Sequence, residues 1–351
     1  MTLPPRHSLS ITMNNPSMEQ ATLQVEGLQT SFFTRNGEAK AVNDVSFSVA
    51  RGQIMGLVGE SGSGKSMTGY SIMGLIDKPG KVIGGKIILT GRDGSSRDLR
   101  SLDAGAMRDI RGNRVAMIFQ DPMMSLNPVL RIDTQMIEAI KAHDNVSTSQ
   151  ARERTRQALI QVGIASPDER LLAYPHQFSG GMRQRIAIAC ALLNKPDLII
   201  ADEPTTALDV TIQGQILFEI QRLCKESGTA LIWITHDLSV VAGLADTVCV
   251  MYAGKIVESG SVAEVLKSPS HPYTAALMNS APDRNRRGDF LKQIPGATPS
   301  LVNLQPGCAF KERCISSSNE CSQPPSSRIV VGNHIVRCIH PVSPFSQGLI
   351  Q

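Results

Sequence analysis

The spacing of apolar side chains changes along the chain. Residues 23–33 and 41–49 carry apolar positions in alternating or short runs, parted by the turn-like Arg35-Asn36-Gly37, which predicts two antiparallel strands. Leu57 and Val58 then lead into a glycine-rich stretch, so a buried strand, a tight loop and a helix over residues 66–76 are expected, the helix ending near Pro79 and Gly80. Residues 82–90 predict another strand, residues 91–111 are polar and glycine-containing, and the apolar run 115–119 is closed by Gln120. From Pro122 to about Gln177 the period becomes helical with interspersed charges, as in residues 151–162, so a helical insertion is expected there. Strands return at 197–201 and 230–235, apolar on both faces and separated by a helix-length segment. Such strands belong in a mostly parallel sheet covered on both sides. A further strand over 247–252 precedes the turn Ala253-Gly254-Lys255, and beyond about Pro269 prolines become dense and the periodicity fades.

Composition narrows the class. The chain has 351 residues, room for about two domains, with 41% hydrophobic and 19% charged residues, which fits a globular protein and neither a disordered nor a membrane-embedded one. A net charge of +4 with scattered arginines argues against a nucleic-acid surface. The longest apolar runs, such as 198–201 and 231–234, are too short to cross a bilayer. Residues 1–20 contain Pro4, Pro5, Asn14, Asn15 and Pro16 without the apolar stretch of a secretory signal. They are expected to be a disordered tail, with Met13 or Met18 as alternative starts. Of seven cysteines, Cys190, Cys224 and Cys249 fall inside apolar or helical patterns and are expected to be buried thiols in a reducing compartment.

Candidate chemistry begins at residues 57–66, LVGESGSGKS, whose last eight residues fit G-x-x-x-x-G-K-[ST] with Gly59, Gly64, Lys65 and Ser66 at the fixed places. Gly59, Gly62 and Gly64, with Ser61 and Ser63 between them, let the backbone turn its N–H groups onto phosphate oxygens at a helix N-terminus. Lys65 can reach the β- and γ-phosphates while the Ser66 hydroxyl ligates Mg²⁺. Asp202 and Glu203 end the apolar strand 198–201. Asp202 is suited to the Mg²⁺ shell and Glu203 to orienting and deprotonating the attacking water, although an acidic turn after a strand would read alike. Gln120 and His236 end apolar strands in the same manner, and ligands gather at the carboxyl ends of parallel strands. Ser179, Gly180 and Gly181 open a helix and form a second anion site. One nucleotide cannot fill two distant sites on one chain, so a second subunit facing the first is expected.

In this order the motifs resemble those of the ATP-binding subunits of ABC transporters, over roughly residues 23–260. The resemblance implies an α/β fold of the P-loop NTPase type: a RecA-like mostly parallel sheet with an antiparallel β subdomain, plus a helical subdomain at about 122–180. The ATPase domain would span 21–265, and 266–351 would form a small cysteine-containing C-terminal region. The resemblance further implies a Q-loop at Gln120, which also reaches the magnesium, and a signature at residues 179–184. It places the magnesium and catalytic carboxylates at Asp202 and Glu203, a D-loop at Ala207-Leu208-Asp209 whose Asp209 lines the nucleotide, and a switch histidine at His236. Phe178 replaces the family's usual leucine, and Met182 stands where glutamine is commoner. The aromatic residue that stacks on adenine falls at Phe32, with Phe33 as the alternative.

A narrower resemblance is to the oligopeptide and dipeptide importer branch. It is carried by Asp121-Pro122 with Ser125-Leu126-Asn127-Pro128, by Tyr174-Pro175-His176-Gln177, by His271-Pro272-Tyr273-Thr274, and by Pro306-Gly307-Cys308-Ala309-Phe310 followed by Arg313-Cys314. It implies uptake of peptides, nickel chelates or related solutes at the cytoplasmic face of the membrane. The implied partners are two permeases, a solute-binding protein and a second, usually different, ATPase chain. A non-transport ABC protein acting on ribosomes or DNA would carry two cores or a long coiled coil, and a kinase or GTPase would not need Ser179-Gly180-Gly181 or His236.

Cys308, Cys314, Cys321 and Cys338 are spaced C-x5-C-x6-C-x16-C in a segment rich in proline, serine and glycine. Four thiols in a loop-rich tail suggest a tetrathiolate site whose metal bonds supply folding energy. Zinc and a [4Fe–4S] cluster both accept four cysteines. The lack of short C-x2-C pairs, and the clusters found in some of the resembling subunits, favour iron–sulfur; unliganded thiols are the plain alternative.

Overall fold

The computed structural model describes residues 21–205, 210–280, 293–302 and 304–342. The expected tail 1–20 and the D-loop residues Ala207, Leu208 and Asp209 lie outside the described residues.

The chain opens with a hairpin, β1 (Ala21–Thr34) and β2 (Gly37–Ala50), paired antiparallel up to Thr34 and Gly37 across the expected turn. Leu23, Val25 and Leu28 of β1 and Val42, Val45, Phe47 and Val49 of β2 are buried on its inner face. β3 (Ile54–Val58) is buried throughout and runs into the glycine-rich loop and α1 (Lys65–Met73). α1 stops before the expected Ile76 because Gly74 turns left-handed at φ 62° and returns its N–H to the Ser71 carbonyl, a helix stop that glycine makes without steric cost. β4 (Gly80–Thr90) and β5 (Ser96–Asp98) complete a four-stranded antiparallel sheet in the order β2-β1-β4-β5. In the following stretch, expected only as polar chain, α2 (Ala104–Ile110) forms because the Asp103 carboxylate accepts the Ala106 N–H at 2.8 Å. Such an N-cap satisfies a helix donor locally.

β6 (Val115–Ile118) leads to the helical stretch α3 (Ile132–Lys141), α4 (Thr148–Gln161), α5 (Pro167–Leu171) and α6 (Gly180–Leu192). Then come β7 (Leu198–Asp202), α7 (Val210–Ser227), β8 (Ala230–Thr235), α8 (Leu238–Leu244), β9 (Thr247–Tyr252) and β10 (Lys255–Ser261). α9 (Val262–Lys267), α10 (Pro272–Asn279), β11 (Arg328–Val331) and β12 (His334–Val336) follow. The large sheet has the order β11-β12-β10-β9-β3-β8-β7-β6, parallel from β9 to β6 and antiparallel from β9 outward.

Both faces of the parallel strands are covered, which is why these strands read as unbroken apolar runs. Ile199, Ala201, Leu231 and Trp233 pack with the helices α3 to α6, whereas Leu198, Ile200, Ile232 and Ile234 pack toward β1, β2 and α1. The C-terminal region joins this sheet through β12 and is fastened by a buried carboxylate. Glu258 accepts the N–H groups of Ser270 (2.6 Å) and His271 (2.9 Å) and lies 2.7 Å from His334 Nε2. A buried carboxylate is tolerated only with such partners.

Candidate active site

Parallel strands deliver their carboxyl ends to one edge. Val58 is in register with Thr235, Asp202 with Ile234, and Ile118 with Ala201. The polar residues that follow these strands therefore emerge beside the glycine-rich loop. Two glycines in that loop have no substitute: at Gly59 (φ 155°) a Cβ would stand 2.2 Å from the Met251 carbonyl oxygen, and at Gly64 (φ 104°) 2.2 Å from that of Ala41. Ser61 and Gly62 are exposed and Ser63 is buried, its Oγ without a hydrogen-bond partner among the described residues.

Lys65 is buried, and its Nζ donates to the carbonyls of Gly59 (2.8 Å) and Glu60 (3.0 Å). Burial lowers its pKa, opposed by Glu203, Asp202 and Glu60. Ser66 Oγ donates to Asp202 Oδ1 at 2.9 Å, and burial raises the Asp202 pKa. Glu203 adopts a left-handed backbone, φ 45°, fixed by its N–H donating to the Ile234 carbonyl at 2.9 Å. Its carboxylate lies 3.3 Å from His236 Nδ1 and 3.5 Å from Gln120 Nε2. A non-glycine residue held in this conformation marks a position that the surrounding structure over-determines. The geometry thus joins Lys65, Ser66, Gln120, Asp202, Glu203 and His236 in one place. Gln120 meets Glu203 there, whereas Ser66 meets Asp202.

The remaining expected residues stand apart from this group. Ser179 caps α6, its Oγ accepting the Met182 N–H at 3.3 Å, and with Gly180 it is exposed. Among the described residues no hydrogen bond or ion pair joins Ser179 to the glycine-rich loop. Phe32 is half-buried at the end of β1, its ring against Gly80, whereas Phe33 is half-exposed.

The four tail cysteines are free thiols, Cys321 and Cys338 buried and Cys308 and Cys314 half-buried. Burial pushes the Cys338 thiol up to about 11, with contributions from Cys308, Cys314 and Cys321, so the four lie within electrostatic reach of one another. Yet among the described residues no three His, Cys, Asp or Glu side chains are arranged to hold a metal ion. The expected tetrathiolate is thus not present as a ready-made ion site.

Two residues reach the phosphate loop whose role there the sequence did not show. The Tyr273 hydroxyl accepts the Glu60 N–H at 2.8 Å. Arg313 donates from Nη1 (2.7 Å) and Nη2 (3.0 Å) to the two oxygens of the Glu60 carboxylate. The only sequence signal was their membership of the importer-branch motifs His271-Pro272-Tyr273-Thr274 and Arg313-Cys314.

Comparison with known proteins agrees with this geometry. The family described as ABC transporter matches residues 42–206, and the oligopeptide/dipeptide transporter C-terminal region matches residues 257–321. A putative peptide import ATP-binding protein of Brucella ovis is 49% identical over 328 residues, 91% of this chain and 97% of the relative. The oligopeptide transport ATP-binding protein OppD of Escherichia coli is 44% identical over 322 residues (92% and 94%), and the dipeptide transport ATP-binding protein DppD of Bacillus subtilis 46% over 321 (91% and 94%). Among solved structures, an ATP-binding cassette captured as a post-hydrolysis dimer with ADP and phosphate superposes with a TM-score of 0.61 at 24% identity, covering 68% of this chain and 98% of that one. That likeness shows the fold. The chain belongs to the ABC transporter family, among its ATP-binding subunits with the oligopeptide/dipeptide-type C-terminal region.

Proposed function

We propose that this chain is the ATP-hydrolysing motor subunit of a peptide importer. It would work at the cytoplasmic face of the membrane with a second, different cassette, two permeases and an extracytoplasmic solute-binding protein. Among the described residues no helix is long and apolar enough to cross a membrane, so the passage for solute would belong to the partners. The observation that carries the reading is Glu203, held within reach of His236 and Gln120 beside the Ser66–Asp202 pair. The C-terminal match and the peptide-transport relatives support the solute class.

Lys65 would exchange the carbonyls of Gly59 and Glu60 for oxygens of the β- and γ-phosphates, while the loop N–H groups receive the rest. The Ser66 hydroxyl and the Asp202 carboxylate, hard oxygen donors already in contact, suit Mg²⁺, which when bound neutralises phosphate charge. Glu203 takes a proton from the attacking water as the new oxygen–phosphorus bond forms and the β–γ bridge bond breaks, its electron pair leaving with ADP. His236 and Gln120 orient that carboxylate and the water. Phe32 stacks on adenine. Ser179, Gly180 and Gly181 serve the ATP of the partner cassette, and Asp209 lines the nucleotide. ATP-driven peptide uptake into vesicles containing the permeases, lost with Glu203→Gln, is the expected result. Hydrolysis indifferent to permeases and peptide, or copurification with ribosomes, overturns the assignment.

The ATPase domain is taken as 21–265, its helical part as 122–180, and the C-terminal region as 266–351. We further propose that Cys308, Cys314, Cys321 and Cys338 take up a [4Fe–4S] cluster in preference to zinc. The support is that all four are free and act electrostatically on one another, and that a cluster spreads its thiolates around a larger body than one ion does.

A further inference from the structure

The Glu60 side of the phosphate loop is held from outside the ATPase core. Arg313 lies in the short turn Lys311–Arg313, which begins where the Lys311 N–H donates to the Cys308 carbonyl (3.0 Å) and ends where the Cys314 N–H donates to that of Lys311 (3.3 Å). The Arg313 side chain is only 6% exposed and all its nitrogens are used: Nε donates to the Pro295 carbonyl at 2.8 Å, and Nη1 reaches the Tyr252 hydroxyl at 3.2 Å besides Glu60. Its guanidinium sits 5.9 Å and 5.8 Å from the ring centres of Tyr252 and Phe310. Phe310 meets Tyr252 and Tyr273 edge to face, and those two rings are tilted by 54° with centroids 4.6 Å apart. This is a built socket, and the group it receives is the carboxylate of the second residue of the phosphate loop.

We propose that Arg313 and Tyr273 are positioning residues of the ATP site, so that ATP affinity depends on the C-terminal region being folded against the core. Glu60 is an awkward residue beside a triphosphate, because its carboxylate is close enough to act on the Lys65 ammonium and would repel phosphate oxygens. The forked, two-point pairing with Arg313 neutralises that charge and turns it away, geometry that an arginine supplies and a lysine does not. Tyr273 fixes the backbone at the same residue by taking its N–H. The Glu60 carbonyl, also a Lys65 acceptor, is thereby set from both sides. Whatever unfolds the cysteine-bearing turn removes Arg313 and loosens the loop. The latch has this role only if residues 59–66 hold ATP, as proposed above.

The test is ATP affinity and turnover of the full chain with its partner subunits, for Arg313→Met, Arg313→Lys, Glu60→Gln, the Glu60→Gln/Arg313→Met double variant and Tyr273→Phe. Arg313→Met should raise the Kd for ATP about tenfold, about 1.4 kcal/mol, while kcat at saturation stays within about twofold because the residues around Glu203 are untouched. With Glu60→Gln already present, the same change should cost no more than about threefold, the non-additivity expected of a contacting pair. Arg313→Lys should fall between the parent and Arg313→Met. Tyr273→Phe keeps the buried ring and deletes one oxygen, and should raise Kd about threefold. An unchanged Kd in Arg313→Lys and Tyr273→Phe, or equal losses from Arg313→Met with and without Glu60, overturns the latch while leaving the ATP site standing. A parent chain that binds no ATP overturns both.

Discussion

Ser66 Oγ donates a 2.9 Å hydrogen bond to Oδ1 of Asp202, tying the first turn of α1 to the end of β7 across 136 residues of sequence. Burial raises the Asp202 pKa, so an arriving cation meets a carboxylate whose charge is poorly solvated and gains by neutralising it. Asp202→Asn should therefore raise the magnesium concentration needed for half-maximal turnover by at least about tenfold. A titration of ATPase rate against magnesium reads this directly. An unshifted curve removes Asp202 from the metal's shell.

Glu203 is fixed by its left-handed backbone and by His236 and Gln120. Glu203→Gln keeps the shape and removes the base, so kcat should fall by roughly 10²–10⁴ with ATP affinity near parental. His236→Ala, which frees the carboxylate from one partner, should cost less. Single-turnover kinetics separate chemistry from binding; parental chemistry in Glu203→Gln refutes the role.

These residues were legible in the sequence because a parallel strand buried on both faces is an unbroken apolar run, and the first polar residue after it marks the carboxyl end. Asp202, Gln120 and His236 stand out for that reason alone. The contact between Glu60 and Arg313 spans 253 residues, and no periodicity relates the two ends. The strand pair β11 and β12 was equally silent. Arg328–Val331 is exposed on every residue, so it has no alternation to read, and β12 is set by the buried Glu258–His334 pair. α2 was missed because its start depends on one capping carboxylate, Asp103, in otherwise turn-like text.

His271 makes stability depend on pH. Its Nδ1 accepts the Tyr273 N–H at 3.0 Å, and burial pulls its pKa from 6.5 down to about 4. The unfolded chain therefore binds a proton below about pH 6.5 that the folded chain refuses until about pH 4. Stability is full above that window and falls through it by about 1.4 kcal/mol per pH unit. His271→Asn, which can still cap α10, should flatten the slope between these two values. Denaturant midpoints at several pH values measure it, and parallel slopes in the two proteins refute the assignment.

For the tail, anaerobic purification followed by iron, sulfide and zinc analysis should find iron and sulfide in equal amounts, about four of each per chain. Zinc without sulfide refutes the cluster, and no metal refutes a shared site. Cys314→Ser should lose the iron. Because Arg313 is the preceding residue, it should also weaken ATP binding if the latch holds.

Ser179 is exposed at the head of α6 and, among the described residues, its side chain is bonded to its own helix, with no hydrogen bond to the group around Lys65 and Glu203. A helix N-terminus opened by serine and glycines suits an anion, and under the proposed function that anion is the nucleotide of another cassette. Two damaged subunits can then complement each other. A Lys65→Ala chain and a Ser179→Ala chain, each nearly inactive by itself, should regain activity when mixed. In the mixed dimer one site keeps an intact Lys65 and an intact Ser179, while the other lacks both. If the natural partner is a different cassette, the same experiment is run with one change in each gene product. The recovered rate should rise with the fraction of mixed dimers and vanish on dilution below the dimer's dissociation constant. If Ser179 served its own chain's ATP, each subunit would carry one ruined site however they were mixed, and activity would stay at the level of the separate variants.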